Sequence, residues 1–374
     1  MCIKKTGGIT SEKGVLRGCL LFALLLCFSS CLLSKKAIRY SVESTFTSSY
    51  SNQGKKLTTF GDSLFLVKAK NGQPDHYFQE YNTGVCFDNK CRPLSISIYW
   101  SVTGRYLGFQ LPKEEFLSKT DHEPFVPEEY EFLNKLLANP DLPFADIQYH
   151  ELMDQPVDAL ESVDAVSGAT SEMVSDIVVK GAVYTTYKLW KIVYGPSKDF
   201  IAEHTKLILT PQLIEKILTG PNEEDKVWVL ERFPENIEMS SSLLNTIETL
   251  IFTADFHLAY TAAHAIKAPQ LGSEAIQNML FKAYEKSNDP SVKRLIVSKL
   301  GQAPFLSTKV KNTSRSYMEK LSGQELVDLL NLFEKHNVKD HRTIEVVEKL
   351  LSNQNTFIVR QAQKFLNQLL LKNE

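Results

Sequence analysis

The stretch Pro93–Val102, PLSISIYWSV, sets Leu94, Ile96 and Ile98 against Ser95, Ser97 and Tyr99 and runs into Thr103-Gly104. Apolar residues at every second position put one face of a strand into a core, and Thr-Gly closes the strand with a turn signal. On its N-terminal side, Ser63 to Ala69 is a short apolar run closed by Asn71-Gly72, a second strand. On its C-terminal side, Pro127 at a first helical position, acids just after it and Asn139-Pro140 frame a helix over Glu128 to Ala138. A further helix is predicted from Ser171 to Val193, apolar over much of its circumference through Val174, Ile177, Val178, Ala182, Val183, Leu189 and Trp190, and stopped by Gly195-Pro196. The expected class for this half is α+β, a mixed or antiparallel sheet with helices.

Beyond about Lys198 the strand signals disappear and amphipathic helical stretches follow one another. Asp255, Leu258 and Ala262 align with Asp289, Val292 and Ile296, and again with Asn355, Ile358 and Ala362. The spacings are close to one and two units of a helical-repeat period of roughly 34 residues. Asp289-Pro-Ser-Val292 with Arg294 at the start of a helix resembles HEAT-like repeats. The likeness runs loosely over 205–370, with the unit near 322 poorly matched, and an irregular helical bundle is the alternative. Either arrangement makes a packing or partner-binding platform.

The chain has 374 residues, enough for two or three domains. Lys and Arg number 42 against 44 Asp and Glu, a formal charge of −2, so no basic excess points to nucleic acid. Hydrophobic residues at 43% and aromatics at 10% argue against disorder and against a multi-span membrane protein.

Lys4, Lys5, Lys13 and Arg17 precede an uncharged apolar run from Gly18 to Leu33, the layout of an export signal and shorter than the roughly 20 residues that span a bilayer. It leads into Phe28-Ser29-Ser30-Cys31, which resembles the lipobox of bacterial lipoproteins, so Cys31 is the expected lipidation site. Phe28 departs from the usual aliphatic residue, and an ordinary signal or an uncleaved anchor fits the same run. Leu32 is not acidic, which by resemblance to lipoprotein sorting weakly favours the outer membrane over the inner for a chain facing the periplasm or cell surface. With Cys2, Cys19 and Cys27 removed and Cys31 lipidated, Cys86 and Cys91 are left. In an oxidising compartment they can close a hairpin as a disulfide, with a redox or metal role as the alternative. The expected organisation is a signal over 1–30, a Ser/Thr/Lys-rich tether over 31–58, a first domain over 59–197 and a helical domain over 198–374.

The sharpest chemical feature is Asp164-Ala-Val-Ser167-Gly168-Ala169-Thr170-Ser171, between an extended stretch and the helix expected from Ser171. A glycine admits close backbone approach, hydroxyls flank it, and a helix N-terminus offers free N–H groups and a positive dipole end, all suited to a phosphate. Ser or Thr before a helix with Glu172 soon after is equally the pattern of a helix cap. A serine hydrolase is less well supported, because Gly-x-Ser-x-Gly is absent.

These residues resemble the bacterial FMN-binding domain of extracytoplasmic subunits in sodium-pumping quinone reductases and Rnf-type complexes, whose shared element is Asp-x-x-Ser/Thr-Gly-Ala-Thr. The resemblance implies that a flavin transferase uses FAD to attach FMN by a phosphodiester to Thr170, with Asp164, Ser167, Gly168 and Ala169 at the other motif positions and Ser171 beside them. It implies an electron carrier on the outer side of a membrane, working with a redox partner or a quinone-linked complex. The looser likeness over about 85–195 includes Cys86, Cys91, Trp100 and Leu117–Phe125.

Tyr99, Trp100 and Tyr106 suit either a flavin ring or a small core, and Lys119 and His122 suit either a flavin phosphate or a solvated loop. His257 and His264 are too far apart for the i, i+4 zinc pattern. No catalytic acid, base or nucleophile and no metal ligand is assigned. The expected function is a lipid-anchored flavoprotein in electron transfer, and the alternative is a non-redox lipoprotein whose helices form a protein-binding scaffold.

Overall fold

A computed structural model describes residues 37–42, 55–58, 63–84, 93–119, 122–152, 174–318, 320–321 and 323–371. Six strands, β1 (Arg39–Ser41), β2 (Lys55–Thr58), β3 (Ser63–Lys68), β4 (Pro74–Thr83), β5 (Leu94–Ser101) and β6 (Tyr106–Gln110), form one antiparallel sheet in the order β1-β6-β5-β4-β3-β2. Chain neighbours from β2 to β6 are sheet neighbours, as in a meander, and β1 is added beside β6. The class is α+β.

Both expected strands form. Asn71-Gly72 turns β3 into β4, with Gly72 at φ +80° and its N–H on the Ala69 carbonyl at 2.8 Å. β5 alternates buried and half-buried residues only as far as Ile98, after which Tyr99, Trp100 and Ser101 are all buried. Two strands, β1 and β2, lie within the stretch that reads as a tether. Their short sequences, with Arg39 in β1 and Lys55 and Lys56 in β2, carry little periodicity of their own, as is usual at sheet edges. The pairing of β1 depends instead on Gly108 of β6, where a Cβ would stand 2.3 Å from the Tyr40 carbonyl oxygen.

The described chain divides into two compact units. One comprises 37–42, 79–84, 93–99, 106–119, 122–152 and 174–193. Its helix α1 (Pro127–Leu137) has Pro127 in the first turn followed by Glu128 and Glu129, and the Glu129 carboxylate accepts the Val126 N–H at 2.9 Å. Tyr130 accepts the Leu117 N–H at 2.8 Å and stacks on Tyr40, while Tyr106 donates to Asn134 at 2.9 Å. Helix α2 (Val183–Val193) is held by Trp190 Nε1 on the Asn139 carbonyl at 2.9 Å and the Tyr187 hydroxyl on the Ile147 carbonyl at 2.8 Å.

The second unit comprises 55–58, 63–78, 100–105 and the helices from 194 onward. After α3 (Pro196–Leu207), ten helices alternate between two layers. The first layer holds α4 (Pro211–Thr219), α6 (Ser241–Thr253), α8 (Glu274–Lys286), α10 (Thr308–Met318) and α12 (His341–Lys349). The second holds α5 (Glu223–Glu231), α7 (Phe256–Ala265), α9 (Pro290–Leu300), α11 (Gly323–Lys335) and α13 (Thr356–Leu371). Each helix packs on the next one in its own layer. The three aligned segments all start second-layer helices. Asp255 and Asp289 cap α7 and α9 through their carboxylates, and Asn355 accepts the Phe357 N–H at 3.0 Å. The poorly matched unit is α11 (Gly323–Lys335), where the sequence has Ser322 at the position that Asp255, Asp289 and Asn355 hold in the other three.

Polar links join successive units. Fully buried Gln277 donates to the Leu271 and Phe305 carbonyls, both at 2.8 Å, and accepts the Ser307 N–H at 2.7 Å. Lys286 pairs with Glu248 at 2.6 Å, Lys293 with Glu325 at 3.1 Å and Arg315 with Asp340 at 2.6 Å.

Candidate functional site

Asp164, Ser167, Gly168, Ala169, Thr170 and Ser171 lie outside the described residues, as do Cys31, Cys86 and Cys91. What the structure describes is the frame from which the motif-bearing stretch departs and to which it returns. Leu152 and Val174, its two described neighbours, are fully buried. Before it, Gln148 donates its N–H to the Glu151 carboxylate at 2.7 Å around a 3₁₀ turn over Tyr149–Glu151.

After it, the expected helix from Ser171 to Val193 is corrected. Ser175–Ile177 is a single 3₁₀ turn, Val178 is extended, Gly181 has φ +75°, and the α-helix starts only at Val183. Adjacent Val178 and Val179 favour extended backbone, and Gly181 takes a left-handed conformation that ends any helix reaching it. The apolar pattern was real, because Val174, Val178, Val179, Ala182 and Val183 are all buried, but it reports burial of a loop and a helix together. The α2 N-terminus is therefore well removed in sequence from Thr170. Its first turn is also engaged locally, with Thr186 Oγ1 donating to the Ala182 carbonyl at 3.0 Å and accepting the Val179 N–H at 3.1 Å. The long helix thus gives no support to a phosphate at Thr170.

Beside these flanks sits an aromatic group. The rings of Tyr149 and Tyr184 stack at 4.8 Å and 22°, both half-buried, and Tyr187 meets Tyr149 edge-on at 5.9 Å. Burial raises the Tyr184 phenol above its ordinary pKa, so it stays a hydrogen-bond donor at neutral pH. A half-exposed pair of aromatic planes with a protonated phenol is chemically compatible with a flat heteroaromatic ring such as a flavin. Tyr149 and Tyr184 are 35 positions apart in the chain, and only the three-dimensional fold brings them together.

The other weighed residues have structural partners. Tyr99, Trp100 and Tyr106 are buried in the core at 2%, 0% and 2% exposure, so none presents a face to a ligand. Lys119 pairs with Glu129 at 2.8 Å and Glu123 at 3.7 Å, and exposed His122 sits at φ +65° in the turn that follows. His264 stacks on Tyr260 at 3.9 Å and bonds the Tyr260 carbonyl at 2.9 Å. Among the described residues no three His, Cys, Asp or Glu side chains come together as a metal site. No described helix is long and apolar enough to cross a membrane.

No protein-family model matches the chain, and no curated protein matches it.

Two buried polar groups in the second unit were not legible beforehand. Tyr77, fully buried and pushed up to about 12 by burial, lies 2.7 Å from His204 Nδ1 and 2.9 Å from Thr205 Oγ1. The phenol stays protonated and can donate to one partner while accepting from the other, which makes it a lock and not an acid at neutral pH. Beside it, Asp75 accepts from His76 Nδ1 and Lys216 Nζ, each at 2.9 Å, and its carboxyl is held at about 2 chiefly by the His76 hydrogen bond. At the β5–β6 turn, Asp225 takes Arg105 through Nε at 3.1 Å and Nη2 at 2.7 Å, together with the hydroxyls of Thr103 and Ser101.

Proposed function

We propose that the protein is a lipid-anchored extracytoplasmic flavoprotein that carries FMN covalently on Thr170 and works in electron transfer. The observation that carries this reading is the motif Asp164-x-x-Ser167-Gly168-Ala169-Thr170. Its support elsewhere is chemical: an export signal over 1–30 fits a chain working where a diffusible flavin could not be recovered, and the Tyr149–Tyr184 pair beside the motif's flanks suits a flat ring. The anchor is Cys31, the membrane is the outer one by the residue after it, and Cys86–Cys91 form a structural disulfide. The two-layered helices are a HEAT-like platform for a redox partner or a quinone-linked complex.

Attachment requires a flavin transferase. The bond formed is Thr170 Oγ to the FMN phosphorus, the bond broken is the FAD pyrophosphate, AMP leaves, and the hydroxyl proton is released. The bound isoalloxazine supplies the redox chemistry. The chain's part is to position the ring and to hold the Tyr184 proton. No side chain is assigned as acid, base or nucleophile in the electron-transfer step.

The test is intact mass and in-gel flavin fluorescence after denaturation, on protein made with and without an active transferase, with Thr170→Ala alongside. One FMN less one water, dependent on both the transferase and Thr170, is the expected result. No adduct under a transferase that modifies another substrate overturns the reading. The scaffold alternative would then stand, and the continuous two-layer helical array is the observation that favours it.

A further inference from the structure

Helices α5 and α7 of the second layer pack side by side, and between their outer faces runs a groove of about 620 Å³. Val227 and Trp228 line it together with His257, and Glu223, Glu224 and Glu231 stand along it. Two features of the groove are not explained by packing. Trp228 is the largest side chain available to a core, yet it is half-exposed, whereas Trp100 and Trp190 are buried at 0% and 4%. Glu231 places a negative charge in the last turn of α5, against the helix dipole, although Glu223 and Glu224 at the first turn agree with it.

The charge balance is strongly local. Three carboxylates, those of Glu223, Glu224 and Glu231, and one cation, Arg232, line the groove, with Asp255 adding a further carboxylate at the α7 cap and Lys226 a further cation on α5, in a chain whose whole formal charge is −2. Asp255 is held ionised because its carboxylate accepts the N–H groups of Leu258 and His257. Arg232 sits 4.9 Å from the Trp228 ring and bonds Glu231 at 3.1 Å, which shows that this ring and this carboxylate together accommodate a guanidinium. On the adjoining face of α7, Phe256 and Tyr260 are 46% and 45% exposed, with ring centroids 6.0 Å apart, an apolar extension of the same surface.

We propose that this groove is a docking site for a basic peptide segment of a partner protein, with a Lys or Arg side chain at Trp228 between Glu224 and Glu231 and apolar side chains against Phe256 and Tyr260. The carboxylates attract and orient the segment, the indole face takes the cation, and the exposed aromatics give the contact its dry area. Arg232 is then an internal competitor that covers the ring when no partner is bound. The assignment does not depend on flavin at Thr170.

The probe is a blocked twelve-residue peptide built from Lys-Leu-Gly triplets, titrated into the full chain at low salt while tryptophan emission is followed. Trp228 is the half-exposed tryptophan among the three, so it is the reporter. A saturable change in emission is expected, weakened roughly tenfold by Glu224→Lys with Glu231→Lys and strengthened severalfold by Arg232→Ala. The same peptide with Glu in place of Lys should leave the emission unmoved. Glu345→Lys with Glu348→Lys, on α12 of the other layer, is the control for bulk charge. Circular dichroism establishes that each variant is folded. Absence of binding, binding that leaves Trp228 emission unchanged, or equal weakening by the two charge reversals would each overturn the proposal, and none of these outcomes bears on flavin attachment.

Discussion

Replacing Asp225 by Ala removes one carboxylate that gathers three residues of the β5–β6 turn onto helix α5. Arg105 gives it Nε at 3.1 Å and Nη2 at 2.7 Å, Thr103 and Ser101 add their hydroxyls, and the ion-paired side chains are only 18% and 15% exposed. Gly104 holds the turn at φ +92° close under α3, where a Cβ would lie 3.2 Å from the Lys198 carbonyl oxygen. Removing one partner of a buried pair costs about 3–5 kcal/mol, because the other charge is left desolvated. Residual exposure puts this site near the lower end, at about 3 kcal/mol. The two hydroxyls add little, since Ser101 and Thr103 keep each other at 2.7 Å. Asp225→Asn retains an acceptor and should cost roughly half as much. Arg105→Leu combined with Asp225→Ala removes both charges and should cost about 1 kcal/mol, less than Asp225→Ala alone. Urea unfolding followed by tryptophan emission and by far-ultraviolet circular dichroism measures all four chains. Trp100, fully buried one residue before Ser101, reports the turn, and the dichroism reports the helices. A cost below about 1 kcal/mol for Asp225→Ala, or a double variant that loses more stability than Asp225→Ala alone, would show that the ion pair does not hold the turn.

Gln277→Leu keeps the volume of a fully buried side chain but strips hydrogen bonds from the Leu271 and Phe305 carbonyls and the Ser307 N–H. A loss of about 3 kcal/mol is expected in thermal or urea unfolding, and a loss under about 1 kcal/mol would mean that water reaches these groups. Asp75 has a folded pKa of about 2 against an ordinary 3.8, so its contribution is complete above about pH 4 and is lost as the pH falls toward 2. Because its side chain is 38% exposed, the amount is about 1 kcal/mol or less, and the stability gap between the native chain and Asp75→Asn should close over that interval. A gap that stays constant from pH 5 to pH 2 would remove Asp75 from the account.

The amino-acid sequence by itself determined the elements whose periodicity comes from one buried face: β3, the first half of β5, helix α1 and the succession of helices after Pro196. In these the spacing of apolar residues and the residues at the ends, Asn71-Gly72 or Pro127, act within a few positions of chain, so they can be read locally. It also carried the Asp164–Ser171 motif, whose chemistry lies in residue types and order, and the repeat of Asp255, Asp289 and Asn355, because a cap acts on its own helix. Only the tertiary structure decided the rest. β4 escaped notice because a central strand is covered on both sides and can bury His76, Tyr77, Phe78 and Gln79 in succession, polar residues included, once partners are supplied. β1 exists through Gly108 on another strand. The stretch before Val183 looked helical because burial gives the same apolar composition to a loop as to a helix, and the left-handed Gly181 separates the two only through backbone conformation. The stacking of Tyr149 on Tyr184, the seat of Asp225 on Arg105 and the acidic groove around Trp228 all bring together side chains from separate elements. Such sites are settled by which surfaces meet in three dimensions, and no local pattern of residues records that.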